Sequence, residues 1–171
     1  LIRDEEIQRL INYIKGLGLK VTFSSKKSDS SALWYLDCSE IVVCKGNNKG
    51  KIDTVLSLVH ELGHALHNIH EKNREVDEDL EDALDHVDEA EELGMDPKKR
   101  QRKIILNNEI NGTKYWDAIY REVNLKFPPW RLEVAKEFDV YQYQVFYDTG
   151  YYPTAKERKE KMKELTRKHR T

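Results

Sequence analysis

Hydrophobic positions recur at helical spacing over residues 3 to 15, where Ile7, Leu10, Ile11 and Ile14 fall on one stripe. Gly16 and Gly18 then predict a stop. The period changes to two from Leu19 to Ser24, with Leu19, Val21 and Phe23 alternating against polar neighbours, so a strand is expected there. A Ser/Lys-rich loop from Ser24 to Ser31 follows. Two further strands, Ala32 to Asp37 and Glu40 to Lys45, are separated by a polar turn around Cys38 and Ser39. Gly46, Asn47, Asn48 and Gly50 break the chain again. Asp53 or Thr54 is the expected N-cap of a helix from about Val55 to Lys72, with Val55, Leu56, Val59, Leu62 and Leu66 as its apolar face.

The second half reads as helical throughout. Val76, Leu80, Ala83, Leu84 and Val87 have helical spacing, and Leu93-Gly94 and Asp96-Pro97 end that segment. Another helix holds Ile104, Ile105, Glu109, Tyr115, Trp116 and Ile119, weakened locally by Gly112. Phe127-Pro128-Pro129 breaks the chain before a helix from Trp130 to Tyr147. Tyr151-Tyr152-Pro153 breaks it again, and Thr154 caps a final charged helix. The expectation is an α+β fold: an N-terminal helix, a small three-stranded sheet, then helices, with residues 1–125 as one domain and 126–171 as a helical extension packed on it. Residues 74–96 form an acidic helical insertion within the domain.

Composition narrows the function classes. At 171 residues, 39% hydrophobic and 35% charged, the chain is neither collagenous, mucin-like nor wholly disordered. No apolar run approaches the ~18 residues of a membrane span, and the first residues predict an amphipathic helix rather than a signal peptide. Twenty-nine basic against thirty-one acidic residues argue against a dedicated nucleic-acid binder. The distribution is uneven, however. Eleven carboxylates and no Lys or Arg lie between Glu75 and Glu92, while Lys156 to Arg170 holds eight Lys or Arg against three Glu. The acidic run reads as a solvated helix face, with an acidic arm for a basic partner as the sharper alternative. The basic tail leaves a nucleic-acid contact open. Two cysteines, Cys38 and Cys44, are too few for a disulfide framework, so a reduced, cytoplasmic compartment is expected.

The segment that carries chemistry is His60-Glu61-Leu62-Gly63-His64, an H-E-x-x-H. Residues four apart on a helix differ by about 40° and stand about 6 Å apart along the axis, so both imidazoles face one way. Zinc favours such nitrogen ligands, one ion per chain. Glu61 lies beside that face, placed to act as general base. A third ligand is needed, and several residues compete. His70 has the H-E-x-x-H-x-x-G-x-x-H spacing of the metzincins, but His67 stands where that motif needs Gly. His67 lies on the ligand face one turn too far along, a candidate for supporting contact. Glu109, in Asn107-Asn108-Glu109-Ile110 among Ile105, Leu106 and Ile110, is a buried carboxylate in need of a cation. Glu81, Asp82 and Asp85 are fallbacks.

Through His60-Glu61-Leu62-Gly63-His64-Ala65-Leu66-His67 and the order of elements over about residues 2 to 120, the chain resembles gluzincin-type zinc metallopeptidases. It looks most like the small intracellular ImmA/IrrE-type peptidases and their phage-encoded relatives. The resemblance implies a minimal zincin-like domain with His60, His64 and Glu109 as zinc ligands. It also implies limited proteolysis of an intracellular protein, such as a regulator of a mobile element. The chain departs from the pattern in its Glu109-Ile110-Asn111-Gly112 run and in the spacing of 45 residues from His64 to Glu109. In that family a sheet edge pairs with an extended peptide, and Glu40 to Lys45, with Ile41, Val42 and Val43, is the expected edge. Tyr115 and Tyr143 are candidate oxyanion stabilisers, alongside Tyr141, Tyr147 and Tyr151. Two alternatives stand beside this reading. One is a SprT-like DNA-associated zinc protease with His86 as third ligand, and the other a non-enzymatic interaction module using the acidic and basic segments.

Overall fold

The stripe over residues 3 to 15 forms helix α1, Asp4–Gly16, in the computed structural model, which describes residues 4–25, 31–35, 39–44, 50–71 and 74–170. Leu10 and Ile14 are fully buried, with Ile7 and Ile11 half-buried beside them. Acidic Asp4, Glu5 and Glu6 occupy the first turn, where the helix dipole favours them. Glu6 is buried, and its carboxylate accepts the backbone N–H of Lys126 at 2.6 Å. Gly18, at φ +81°, turns the chain out of the helix in the left-handed region that glycine tolerates.

Strands β1 (Lys20–Ser24), β2 (Ala32–Tyr35) and β3 (Glu40–Cys44) form one mixed sheet in the order β1-β3-β2. β1 runs parallel to β3 with Val21 opposite Ile41 and Phe23 opposite Val43. β2 runs antiparallel to β3 with Ala32 opposite Val43 and Trp34 opposite Ile41. The side chains of Ile41 and Val43 are therefore fully buried on one face. This corrects the expected edge: Ile41, Val42 and Val43 lie in the central strand, with both flanks of their backbone already paired, and among the described residues the edges are β1 and β2. The predicted turn residue Cys38 and the break at residues 45–49 fall outside the described residues. Cys44 is buried.

Helix α2 spans Lys51–Glu71 and starts earlier than its apolar pattern implies. The Gly50 carbonyl already accepts the Thr54 N–H at 3.1 Å and the Thr54 hydroxyl at 3.2 Å. Asp53 and Thr54 therefore sit in the first turn, not at the cap. Asp53 there still complements the positive end of the helix.

Six helices follow the sheet among the described residues, completing an α+β architecture: α2, α3 (Arg74–Glu92), α4 (Lys99–Thr113), α5 (Trp116–Glu122), α6 (Pro129–Thr149) and α7 (Ala155–His169). The chain divides into two compact units, Leu1–Ile69 with Gly112–Pro128, and His70–Asn111 with Pro129–Thr171. In the first unit, Leu10, Ile14, Ile41, Leu58, Leu62 and Ile119 are completely buried. The second unit is built on Ala83, Ile105 and Phe146, with Leu80, Val87, Ile104 and Tyr143 packed around them.

Leu84, expected on the apolar stripe of α3, is instead 47% exposed, because Ala83 faces the core in its place. Asp79, Glu81, Asp82, Asp85, Asp88, Glu89, Glu91 and Glu92 are exposed, and none makes an ion pair among the described residues. Gly94, at φ +64°, closes α3: its N–H reaches the Glu91 carbonyl and that of Met95 reaches Ala90, both signatures of a Schellman cap. The helix expected to run through Tyr115 and Trp116 is two helices. After Thr113 the chain turns, with the Tyr115 N–H donating to the Gly112 carbonyl at 3.3 Å, and α5 begins at Trp116. Pro129 takes the first position of α6, where its missing N–H costs nothing. Thr154 and Glu157 form a reciprocal capping box at the start of α7. Near the end of α7, Lys168 and His169 both bond Glu137 of α6 at 2.8 Å. No helix among the described residues is long and apolar enough to cross a membrane.

Candidate metal centre

The burial of Leu58, Val59, Leu62 and Ala65 fixes the rotation of α2 about its axis. His60 and His64, one turn apart, consequently project together. Their Nε2 atoms lie 3.3 Å apart, with the rings edge-on at 4.8 Å between centroids. His64 is buried and His60 half-buried. Two nitrogens at about 2.0–2.1 Å from one tetrahedral ion stand about 3.3–3.4 Å from each other, so the imidazole pair already has the spacing of a shared metal.

Glu109 of α4 completes the group. The ligand atoms of His60, His64 and Glu109 all lie within 4.8 Å of one another, and Glu109 is 6% exposed. A carboxylate withdrawn from water requires compensating positive charge or hydrogen bonds. Two imidazoles with one carboxylate supply the kinds of donor that a divalent ion takes, and the three residues could hold one metal ion. The expected ligand set is thus brought together. Glu61 is also buried, its Oε1 3.7 Å from His60 Nε2 and beside the ligand pair.

The competing ligands go elsewhere. His70 is exposed, as are Glu81, Asp82 and Asp85. His86, which the SprT-like alternative requires, accepts the Lys98 backbone N–H at 3.3 Å. His67 is buried one turn beyond His64, with its ring 6.4 Å from that of Tyr115. Tyr115 is thereby placed against the helix that carries the motif. Tyr143 belongs to the core of the second unit and meets Tyr152 edge-on. Tyr141 lies under Lys161, Tyr147 under Lys99, and Tyr151 donates to Asp96.

Two features escaped the sequence reading. The first is glycine packing inside the first unit. A Cβ on Gly63 would stand 2.5 Å from the Gly112 carbonyl oxygen and 3.0 Å from Trp116 Nε1, and a Cβ on Gly112 would stand 2.8 Å from the His64 ring. The two helices approach through bare backbone at the motif itself. In the sequence Gly112 reads only as a weak point in a helix.

The second feature is Tyr152. Its ring stacks on Phe146 at 4.5 Å, and half of the residue is exposed. Burial, followed by the charges of Glu109, Asp139, Asp88 and Glu91, pushes its pKa up to about 12. The Glu109 charge acts on this phenol across 43 residues of chain, and local pattern carries no trace of it. Compared with models of known families, with curated proteins and with solved structures, the chain matches none.

Proposed function

We propose that the chain is a zinc-dependent endopeptidase acting on a protein or peptide substrate. The observation that carries this reading is the Nε2 pair of His60 and His64 at 3.3 Å, grouped with buried Glu109 and flanked by Glu61. Zinc bound there supplies Lewis-acid polarisation of the scissile carbonyl and lowers the pKa of a coordinated water. Glu61, with its carboxylate 3.7 Å from His60, takes the proton from the attacking water and passes it to the leaving amine. His60 and His64 would hold the zinc through their imidazole nitrogens and Glu109 through its carboxylate. Tyr115, whose ring stands 6.4 Å from that of His67 on the motif helix, is the candidate oxyanion stabiliser taken here. The edge strand β2 is tied to that helix through Trp34 Nε1, which donates to Asn68 at 3.1 Å, so an extended peptide has an edge to pair with there. The resemblance to ImmA/IrrE-type peptidases points to a cytoplasmic regulator of a mobile element as the substrate.

The test is zinc content beside peptide hydrolysis. Wild type should hold about one zinc per chain, and His64→Ala and Glu109→Ala should lose it. Glu61→Gln should keep the zinc and lose hydrolysis by about 10²–10⁴-fold, the contribution of a positioned general base. A Glu61→Gln chain that cleaves like wild type, or a wild type that takes up no zinc on reconstitution, refutes the proposal.

A further inference from the structure

We infer that the turn from Gly112 to Trp116 is a positioning wall for the two imidazoles, with Gly112 setting the ring of His64 and Trp116 that of His60. The inference rests on the metal-site reading above and adds residues to it that are not ligands. His64 presents Nε2 to His60 at 3.3 Å, while its Nδ1, Cε1 and Cγ crowd the position a Cβ of residue 112 would take. A methyl there would lie 2.8 Å from Nδ1 and Cε1 and 3.3 Å from Cγ, so the ring sits where only glycine leaves room. Trp116, 3% exposed, meets the His60 ring edge-on at 5.8 Å.

Gly112 lies in the last turn of α4 and Trp116 opens α5, so the corner between these helices faces the two ligands, which stand one turn apart on α2. The close approach is made possible by Gly63, whose missing side chain admits the Gly112 carbonyl. Groups that orient metal-bound histidines govern affinity without touching the ion. The histidine ring is the movable partner in the Gly112 contact, because a side chain rotates more cheaply than backbone shifts. Alanine at 112 therefore displaces the ring and spoils its alignment with His60.

The experiment uses the full chain loaded with cobalt(II), reading both the dissociation constant by chelator competition and the d–d spectrum. Gly112→Ala should keep its far-ultraviolet circular dichroism, bind cobalt about 10–100-fold more weakly and show an altered spectrum. Trp116→Ala should also weaken binding, and Trp116→Phe, which restores an aromatic edge, should recover most of it. If Gly112→Ala does not fold, Gly112→Ala/His64→Ala decides: recovery of folding on removing the ring supports the contact, and continued failure overturns it. Wild-type affinity and spectrum in Gly112→Ala overturn the wall while leaving the metal site standing. A wild-type chain that binds no cobalt overturns the metal-site reading and the wall with it.

Discussion

Replacing Gly63 by alanine sets two effects of opposite sign against each other. Alanine is the better helix former by about 0.8–1.0 kcal/mol, so an open position in the middle of α2 would gain. At Gly63 the new Cβ would stand 2.5 Å from the carbonyl oxygen of Gly112. Carbon–oxygen contacts ordinarily settle at about 3.3–3.6 Å, so roughly 1 Å of separation must be found by moving backbone. The buried indole at 3.0 Å closes another direction of relief. Overpacking of this kind costs about 1–3 kcal/mol, and the rigid oxygen favours the upper part of that range. The net expectation is a loss of about 1–2 kcal/mol, which for a chain of this size lowers Tm by about 2–8 °C. Gly16→Ala is the control, because nothing lies within 4 Å of its Cβ position. Thermal and urea unfolding of both variants beside wild type reads the difference. A Gly63→Ala chain as stable as Gly16→Ala, or more stable than wild type, would refute the close approach of α2 to Gly112.

Two further outcomes follow from the second unit. Thr154→Ala removes the side-chain half of a capping box, leaving the backbone N–H of residue 154 to Glu157, and should cost about 0.5–2 kcal/mol in urea unfolding, whereas Thr154→Ser should be nearly silent. Lys168 first, and His169 beside it, hold the Glu137 carboxyl below its ordinary range. A depressed folded pKa contributes stability that is present above the ordinary value of about 4.3 and is lost as pH falls through the folded value. Acid unfolding of Glu137→Gln should therefore be flatter than wild type below about pH 4, by less than about 1 kcal/mol for so exposed a pair. Parallel acid profiles for the two chains would contradict this.

What was legible in the sequence is what is local. The i, i+4 histidines, the acidic neighbour between them and the cap at Thr154 are properties of single helical turns, and the structure has them where the spacing puts them. Glu109 was reachable because a carboxylate among Ile105, Leu106 and Ile110 demands a cation whatever brings it there. Strand order was not reachable by the same route. Strands at 20–24 and 40–44 were both recognised, but which one lies in the middle is decided by pairing across the chain. A clue was present: Ile41-Val42-Val43-Cys44 is a continuous apolar run, typical of a strand covered on both sides, whereas Val21 and Phe23 alternate with polar residues. The break after Thr113 was hidden because apolar spacing continues across it. The role of Gly112 depends on a ring that approaches from 48 residues earlier in the chain.

The sheet order also bears on how the chain acquires its structure. β1 and β2 leave the ribosome first but share no ladder, so neither can be hydrogen-bonded as a strand until β3 has emerged between them. β3 then closes a short loop to β2 and a longer one, twenty residues in register, to β1. The shorter closure carries the smaller entropic penalty, which makes the β2–β3 hairpin the natural nucleus and the parallel pairing the slower, committing event. Until that event α2, and the histidines on it, has no finished sheet to settle on.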